Sequence, residues 1–236
     1  MTTKTLITGA NKGLGYETAR QLIAAGHTVY VGARNPVRGR EAAMRIGARF
    51  VELDVTDDAS VSAAATAIAA DGGLDVLINN AGIAERTPAG DFLRAADETA
   101  GSVRSTFETN VVGVVRVIHA FLPLLEKSNA AVIVNVSSGL SLTRDLIRGD
   151  SPTHAFPGIG YPASKAALNS ITVQYAKAYP GIRINAAGPG FTATELNGHT
   201  GTQSVEEGAE IVVRMAQIGP HGPSGGFFDL RGSIPW

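Results

Sequence analysis

The chain contains no cysteine in its 236 residues. This absence excludes disulfide scaffolds, thiolate metal sites and cysteine nucleophiles. Charge is also sparse: charged residues make up 17% of the sequence, the formal net charge is −1, and no long run of one sign occurs. A balance of this kind disfavours nucleic acid or an anionic membrane surface as the main partner, so we predict neither.

The sequence also lacks the marks of a targeting or membrane segment. Its first residues, MTTKTLITGANKG, show no charged leader followed by a long apolar run and a cleavage site, and no apolar run reaches the length of a membrane span. We therefore expect a soluble, cytoplasmic protein. The five histidines are scattered, without an HExxH pattern or a spaced carboxylate partner, so we predict no metal site.

What the sequence does contain is a regular alternation of strand-like and helix-like segments. Hydrophobic residues make up 44% of the chain, which is enough for a sizeable core. The strand-like segments are short and apolar, at 4–8, 27–33, 49–55, 74–79, 130–138, 181–188 and 225–230. The helix-like segments have helical spacing of apolar residues, at 14–26, 36–46, 57–71, 102–127, 159–179 and 204–218.

This order is typical of an α/β protein in which a doubly wound parallel sheet lies between two layers of helices, a three-layer α/β/α arrangement. No Pro/Ser-rich linker and no internal repeat divides the chain, so we predict a single domain over residues 1–236. In such a sheet the ligand binds at the carboxyl ends of the strands, where the strand order reverses.

A glycine-rich turn joins the first strand to the first helix. In TLITGANKGLGYETA the glycines are Gly9, Gly13 and Gly15. Glycine permits a tight turn and lets the backbone approach a pyrophosphate, which then lies on the helix N-terminus. The spacing is GxxxGxG rather than the commoner GxGxxG, so by itself the pattern leaves a purely structural turn open as an alternative.

The residues after the second strand bear on which nicotinamide dinucleotide would bind. Many NAD-binding folds have a carboxylate at the end of that strand for the ribose 2′-hydroxyl. Here the strand ends at Ala33 and Arg34, and Lys12 in the glycine turn adds a second positive charge. Arginine suits a 2′-phosphate through charge-assisted hydrogen bonds. We predict that NADP(H) is preferred, with NAD(H) as the alternative, in which case both bases are ordinary solvated side chains.

A tyrosine and a lysine lie four residues apart at the start of the helix-like segment 159–179. Tyr161 and Lys165, in YPASK, project from one face of that helix. They are either an amphipathic surface pair or a phenol whose pKa is lowered by the neighbouring ammonium. Ser138 ends the strand VIVNVSS, and Asn110 is a polar residue in the apolar segment FETNVVG. Both are further candidates, although Asn110 could instead make a structural hydrogen bond to a loop.

Several segments, in order along the chain, resemble the short-chain dehydrogenase/reductase family in its short single-domain branch. They are TGANKGLG at 8–15, LDV at 53–55, NNAG at 79–82, TN at 109–110, VNVSS at 134–138, YPASK at 161–165 and PGFTAT at 189–194. GANKG, GAR after the second strand and the C-terminal SGGFFDLRGSIPW are most similar to the NADPH-dependent, carbonyl-reductase-like members. The resemblance implies a Rossmann-type fold.

The resemblance implies a role for each matching catalytic residue. Tyr161 would be the general acid in ketone reduction and the base in the reverse direction. Lys165 would lower the pKa of Tyr161 and hydrogen-bond the nicotinamide ribose, and Ser138 would hold the carbonyl oxygen of the substrate. Asn110 would bind a water that links Lys165 to solvent as a proton relay. Ser137 competes for the serine role, which the resemblance assigns to the second serine of the pair.

The resemblance also implies the cofactor contacts. Residues 54 and 55 would flank the adenine, residues 80–82 would pass beneath the adenosine ribose, and Thr192 and Thr194 would position the carboxamide and the pyrophosphate. The predicted cofactor-binding residues are Gly9, Asn11, Lys12, Gly13, Leu14, Gly15, Arg34, Asp54, Val55, Asn80, Ala81, Gly82, Tyr161, Lys165, Pro189, Gly190, Thr192 and Thr194.

Two loops would form the substrate side of the cleft. The first, residues 139–157, is longer than the family's minimal spacing but much shorter than the large insertion of the monomeric carbonyl reductases. This region offers Leu140, Phe156 and Ile159 as substrate contacts, or is a surface loop. The second, residues 188–204, is polar and contains glycine, so it is either a mobile lid over the substrate or a loose loop.

These features favour an NADPH-dependent oxidoreductase that reduces the carbonyl of a small aldehyde or ketone, or oxidises the matching alcohol. A lyase or epimerase variant is one alternative, although such members usually carry GxxGxxG and a longer C-terminal domain. A non-catalytic NADP-binding regulatory protein is another, although it would be expected to have lost a catalytic residue. The apolar faces of 102–127 and 159–179 either pair subunits into a homodimer or homotetramer or belong to the core of a monomer.

Overall fold

The computed structural model describes residues 2–236, which form an α/β structure on a single sheet. Its strands are β1 Lys4–Thr8, β2 Thr28–Ala33, β3 Arg49–Glu52, β4 Val76–Asn79, β5 Val132–Val136, β6 Arg183–Ala187, β7 Phe227–Asp229 and β8 Gly232–Ile234. Their spatial order is β3-β2-β1-β4-β5-β6-β7-β8. Neighbouring strands are parallel except for β7 and β8, which are antiparallel.

Helices on both faces connect the strands. They are α1 Gly13–Ala24, α2 Pro36–Ile46, α3 Asp58–Ala70, α4 Ala100–Phe107, α5 Gly113–Leu125, α6 Thr143–Leu146, α7 Gly160–Ala178 and α8 Val205–Ala216. A π-helical turn, Glu108–Val112, joins α4 to α5, and short 3₁₀ turns occur at Gly139–Ser141, Pro152–Ala155 and Glu195–Asn197. The predicted doubly wound, three-layer Rossmann-type fold is confirmed.

The strand order reverses at β1. Thr5 of β1 lies opposite Val29 of β2 on one side and Val76 of β4 on the other. The chain first winds outward to β3 and then returns to β4 across β1, so the two halves of the sheet are built in opposite directions. Loops that leave β1 and β4 therefore diverge at their carboxyl ends and leave a crevice between them, which is where ligands bind in this class of sheet.

Consecutive residues of each strand point into different hydrophobic layers. Leu6 and Leu77 belong to the layer under α3, α5 and α7, whereas their neighbours Ile7 and Ile78 belong to the layer under α1, α2 and α8. All four side chains have no exposed surface. The central strands therefore read as continuous apolar runs because both faces of the sheet are covered.

The single helix predicted over 102–127 is interrupted. A π turn adds a residue to the helical repeat, so the face that looks inward changes between α4 and α5. Gly113, the first residue of α5, lies so close to the loop after β3 that a Cβ atom there would be 3.0 Å from the Val55 carbonyl oxygen. The break therefore lets α5 pack tightly while Asn110, inside the π turn, becomes buried.

The same stretch corrects a second prediction, that no apolar run reaches the length of a membrane span. Residues 100–125 are long and apolar enough to cross a membrane by length and composition alone. Val117, Ile118 and Phe121 of this stretch lie in the hydrophobic layer beside the sheet. Packing within the fold therefore accounts for the apolar character of that face.

The C-terminal edge of the sheet also differs from the prediction. The sequence predicts a last strand at 225–230, and β7 lies within it, but the chain then turns back to form the antiparallel strand β8. Trp236 stacks on Phe227, with ring centroids 5.9 Å apart. The strand β8 has only three residues, Gly232–Ile234. So short a segment, beginning with glycine, shows no strand pattern in the sequence, and β8 could not be predicted.

The core assignment leads to a stability prediction. Replacing Phe121, which is fully buried, with alanine should lower the free energy of unfolding by about 3–5 kcal/mol, because apolar contact is lost and a cavity remains. Met44→Ala, at a position that is 78% exposed, should change it by less than about 0.5 kcal/mol. Denaturant unfolding of both variants measures the two values; equal effects would contradict the assigned packing of α5.

Candidate active site

One cleft of about 440 Å³ opens at the carboxyl ends of the strands, beside the strand-order reversal. Every predicted cofactor-binding residue lines it: Gly9, Asn11, Lys12, Gly13, Leu14, Gly15, Arg34, Asp54, Val55, Asn80, Ala81, Gly82, Tyr161, Lys165, Pro189, Gly190, Thr192 and Thr194. Ser138 lines the same cleft, whereas Asn110 is not among the described lining residues. Within residues 2–236, no group of three or more histidine or acidic side chains is placed to hold a metal ion.

The glycine turn after β1 has the geometry that its residues suggest. Gly9 and Gly13 have φ angles of 65° and 55°, a backbone region that favours glycine. Gly15 could not carry a side chain, because its Cβ atom would lie 2.9 Å from the Gly9 carbonyl oxygen and would strike the side-chain amide of Asn80. The turn therefore leaves bare backbone at the start of α1, where an anion would meet the positive end of the helix.

Asn80 ties the loop after β4 to this turn. Its side-chain amide donates hydrogen bonds to the carbonyl oxygens of Thr8, at 2.9 Å, and Gly9, at 3.2 Å. The hydroxyl of Thr8 accepts in return from the backbone N–H groups of Asn80 and Ala81, both at 3.0 Å. The two walls of the crevice are thereby held in a fixed relation.

The two predicted phosphate-binding bases differ in their surroundings. Lys12 forms an ion pair with Glu195, and both side chains are more than half exposed. Arg34, at the rim of the cleft, makes no ion pair with any residue between 2 and 236. Burial acts to raise the pKa of Asp54, but hydrogen bonds from Thr56, helped by the charges of Arg34 and Arg116, hold that pKa below its usual value. Of the two bases, Arg34 is the one whose charge is free of a direct partner within the described chain.

Tyr161 is the second residue of α7, and Lys165 follows one turn later. The ammonium nitrogen of Lys165 lies 5.6 Å from the centre of the Tyr161 ring. It donates a hydrogen bond of 2.8 Å to the carbonyl oxygen of Val136, the last residue of β5. Ser138 follows two residues after Val136, so the end of β5 brings its hydroxyl to the same place as the phenol.

The pKa of Tyr161 shifts in the direction opposite to the prediction. Burial raises the pKa of the phenol to about 12, with a smaller opposing effect from a hydrogen bond with Ser138. Burial also lowers the pKa of Lys165 to about 8. Removing both groups from water favours their neutral forms, and in the chain alone this outweighs the attraction between ammonium and phenolate. Tyr161 is therefore a protonated acid at neutral pH.

The hydroxyls of the two competing serines, Ser137 and Ser138, have different partners in the structure. Ser137 is buried, and its hydroxyl donates a 2.6 Å hydrogen bond to the Asn169 side chain of α7. Ser138 instead lies beside the phenol of Tyr161, and its oxygen accepts from the Leu140 N–H at 3.2 Å. Ser137 thus helps to hold α7 on the sheet, whereas the Ser138 hydroxyl is the one placed beside the phenol.

Asn110 makes the structural hydrogen bonds that were its alternative role. Its amide oxygen accepts from the Ile83 N–H at 2.8 Å, and its amide nitrogen donates to the Ile83 carbonyl at 2.9 Å and to the Ser164 hydroxyl at 3.0 Å. The side chain therefore joins the π turn to the loop after β4 and to α7. Its predicted part in a proton relay stays a prediction.

An aromatic wall extends from Tyr161 towards the mouth of the cleft. The ring centre of Phe156 lies 6.1 Å from that of Tyr161, and the ring centre of Phe92 lies 4.9 Å from that of Phe156. Leu140 and Phe156 line the cleft as predicted. Ile159 does not occur among the described lining residues; it immediately precedes α7 and is 47% exposed.

The sequence did not single out Phe92, because it lies in an irregular segment with no pattern to mark it. The same is true of Glu195, Leu196 and His199, which line the cleft from the loop at 188–204. A contact through space, rather than a spacing along the chain, is what brings each of them to the site.

The loop at 188–204 is held by many internal hydrogen bonds. Asn197 accepts from the Thr194 N–H at 3.1 Å and donates to the Thr192 carbonyl at 2.8 Å. Arg86 donates to the Leu196 carbonyl at 3.1 Å from Nε, and its guanidinium lies 4.5 Å from the Phe92 ring centre. Arg86 thus ties the loop to Phe92 of the aromatic wall, and the two alternatives for the loop, a mobile lid and a loose loop, stay predictions.

Comparisons with known proteins agree on one family. A model described as short chain dehydrogenase matches residues 3–204. The (+)-neomenthol dehydrogenase of Capsicum annuum is 32% identical, with 94% of each chain covered. An NADPH-bound carbonyl reductase from chicken fatty liver superposes with a TM-score of 0.85 at 29% identity, covering 100% of this chain and 99% of that one. Salutaridine reductase from Papaver somniferum superposes with a TM-score of 0.83 at 30% identity, covering 96% and 99%.

This chain is shorter than its plant relative. The alignment with the neomenthol dehydrogenase runs over 295 positions, more than the 236 residues of the whole chain. That relative therefore carries inserted segments that have no counterpart here, and this chain is a shorter version of the same arrangement.

The raised pKa of Tyr161 gives a spectroscopic prediction. A group whose pKa is raised to about 12 stays protonated below that pH. The phenolate absorbance of the wild type minus that of Tyr161→Phe should therefore remain flat between pH 6 and about 10. A difference that titrates near neutral pH in the free protein would show that the charge of Lys165 outweighs burial. The folded state is checked by circular dichroism at each pH.

Proposed function

The chain belongs to the short-chain dehydrogenase/reductase family and acts on CH–OH/C=O groups, and we propose that it reduces the carbonyl of an aldehyde or ketone with NADPH, or oxidises the matching alcohol. One observation carries the proposal: the Tyr161 phenol and the Ser138 hydroxyl lie together in the cleft that the glycine turn opens. Tyr161, Ser138 and Lys165 are all retained, which argues against a protein that only binds the nucleotide.

The glycine turn and the residues at the end of β2 support NADP(H) as the cofactor. Gly9 and Gly15 leave bare backbone on which a pyrophosphate would lie. A side chain at either position would collide with the loop after β4, at Ala81 or Asn80. β2 ends at Ala33, with no carboxylate to meet a ribose 2′-hydroxyl, and Arg34 follows with a charge free to meet a 2′-phosphate. The carbonyl reductase from chicken fatty liver, a similar structure, is described as NADPH-bound.

The proposed chemistry divides between the cofactor and the chain. NADPH, when bound, supplies the hydride that adds to the carbonyl carbon. The Ser138 hydroxyl donates a hydrogen bond to the carbonyl oxygen and so orients it, and the protonated phenol of Tyr161 gives its proton to that oxygen as negative charge develops. The ammonium of Lys165, charged below about pH 8, stabilises the phenolate that remains.

The two directions of the proposed reaction begin with different protonation states of Tyr161. Reduction begins with a protonated phenol, which is the form that burial stabilises. Oxidation would begin with a phenolate, which the chain alone disfavours at neutral pH. The positive ring of NADP⁺ would add to the charge of Lys165 in that direction and so favour the phenolate.

The absence of a side chain at Gly82 supports the predicted proton relay, because it leaves the space beside Lys165 and Asn110 uncrowded. Gly82 has no side chain, and the point where its Cβ atom would lie is 3.3 Å from the Asn110 amide oxygen and 3.6 Å from the Lys165 ammonium nitrogen. That point lies about 1.5 Å from the Gly82 Cα, so a relay water would lie farther out, between the Asn110 oxygen and the Lys165 ammonium. The Asn110 oxygen accepts one backbone N–H and has a second lone pair for such a water.

The aromatic wall supports an apolar, uncharged substrate. A carbonyl held at Tyr161 and Ser138 would extend its carbon skeleton along Phe156 towards Phe92. Leu140 adds a further apolar lining. A ring or chain that buries apolar surface there gains about 25 cal/mol per Å², whereas a charged group would lose its hydration.

Turnover is tested by following the loss of NADPH against a panel of apolar ketones and aldehydes. Tyr161→Phe should lower kcat at least about a hundredfold, because the proton donor is removed, while the Kd for NADPH changes little. Tyr179→Phe, which removes a hydroxyl at the other end of α7, is the matched control and should keep wild-type kcat. Near-normal turnover in the Tyr161 variant would contradict the acid role.

The cofactor preference is tested at the rim of the cleft. Arg34→Asp should lower kcat/KM with NADPH about ten- to a hundredfold more than with NADH, because charge-assisted hydrogen bonds to a 2′-phosphate are replaced by repulsion. Arg45→Asp introduces the same change of charge at an exposed position near the end of α2 and should alter neither. Equal losses with both cofactors in the Arg34 variant would mean that Arg34 does not meet the 2′-phosphate.

A further inference from the structure

The helix that carries Tyr161 cannot cap its own N-terminus. Ile159, which immediately precedes α7, has no side-chain oxygen to accept from the first backbone N–H groups. Pro162 in the first turn has no N–H, and the first turn contains no acidic residue. The backbone N–H groups at the start of this helix therefore need a partner from elsewhere in the fold.

Glu98 is that partner. Its Oε1 accepts from the Ile159 N–H at 2.7 Å and from the Gly160 N–H at 3.2 Å, and its Oε2 accepts from the Gly160 N–H at 3.0 Å. Glu98 lies just before α4, more than sixty residues earlier in the chain. Its carboxylate meets the positive end of α7, an arrangement that is favourable for both.

Two glycines leave room for this carboxylate. A Cβ atom at Gly158 would lie 2.7 Å from Glu98 Oε1, and one at Gly160 would lie 2.7 Å from Glu98 Oε2. The other neighbours of a Cβ atom at Gly160 would be at ordinary contact distance, the hydroxyl of Thr106 and the Cα of Val103, each at 3.6 Å. At Gly160 the carboxylate of Glu98 is thus the one group within the described contacts that a methyl group would displace.

The segment that ends at Glu98 also carries part of the substrate side. Phe92 of the aromatic wall lies six residues before it. Between them, the Ala95 N–H donates to the Pro157 carbonyl at 2.8 Å, and the Leu93 carbonyl oxygen would lie 2.9 Å from a Cβ atom at Gly158. The chain from Phe92 to Glu98 is therefore docked along the residues that lead into α7.

We propose that Glu98 is a positioning residue: it fixes the first turn of α7, and with it Tyr161, relative to Ser138 and the aromatic wall. The inference rests on the proposed function for its catalytic consequence. Glu98 touches the backbone of Ile159 and Gly160 rather than the reacting atoms, and Tyr161 is the next residue. Because a misplacement of about 1 Å can cost up to about a hundredfold in rate, loss of this cap reaches the phenol directly.

The test compares Glu98→Ala with Glu98→Gln at a temperature where both are fully folded. Glu98→Ala should lower kcat by about ten- to a hundredfold, with little change in the Kd for NADPH. Glu98→Gln keeps an oxygen that can accept from both N–H groups and should restore kcat to within about threefold of the wild type. Asp97→Ala removes the adjacent carboxylate, which pairs with Arg94 at the surface, and should leave kcat unchanged.

Gly160→Ala provides an independent way to displace the carboxylate. It should lower kcat as Glu98→Ala does, and the double variant should be no worse than either single variant, because both remove one interaction. Hydrogen exchange over residues 157–165 gives a readout that does not need turnover: both variants should speed exchange of the Ile159 and Gly160 amides.

The outcomes separate this inference from the proposed function. Unchanged exchange in Glu98→Ala overturns the inference whatever the turnover. Normal kcat with a lowered Tm alone overturns it too, as do a Glu98→Gln variant as slow as Glu98→Ala and additive losses in the double variant. A wild type that turns over no carbonyl compound with NADPH would instead refute the proposed function, and the exchange data would then decide whether Glu98 holds α7.

Discussion

Burial of a phenol and an ammonium at the start of α7 is the constraint on which the site depends. Desolvation raises the pKa of Tyr161 to about 12 and lowers that of Lys165 to about 8, so each group is pressed towards its neutral form. At neutral pH the result is a protonated phenol beside a lysine that is still charged. This is the combination that a proton donor needs: the proton is present, and the charge left behind has a counter-ion one turn away.

Such a pair is useful only if α7 is held rigidly against the sheet. Hydrogen bonds to polar side chains on the inner face of α7 hold the helix in place. Ser164 accepts from Asn110, Asn169 accepts from Ser137, and Thr172 accepts from Asn135 at 2.9 Å. All six side chains are buried, and a buried polar group is costly unless it is hydrogen-bonded. The inner face of α7 is therefore specified by hydrogen bonds rather than by apolar packing alone, and Glu98 adds a hold at the end of the helix where Tyr161 lies.

Much of the fold and of the candidate site could be predicted because short local patterns encode them. The apolar strands, the glycine turn after β1 and the tyrosine and lysine of α7 all lie where the sequence predicts them, in one cleft. The failures have a common cause. The break between α4 and α5 and the exposed position of Ile159 each depend on how distant parts of the chain pack. The same holds for Phe92 and Glu98, which lie in a segment without periodicity.

The sequence by itself determined the layer order and the turn that can approach a pyrophosphate, because these follow from spacing and from the chemistry of single residues, and its resemblance to the family implied which side chains react. The tertiary structure alone decided the pKa direction of Tyr161, the hydrogen bond of Ser137 to α7 and the partner at the start of α7. Desolvation and hydrogen bonding depend on which groups surround an atom in space, and residues far apart in the chain provide those groups here.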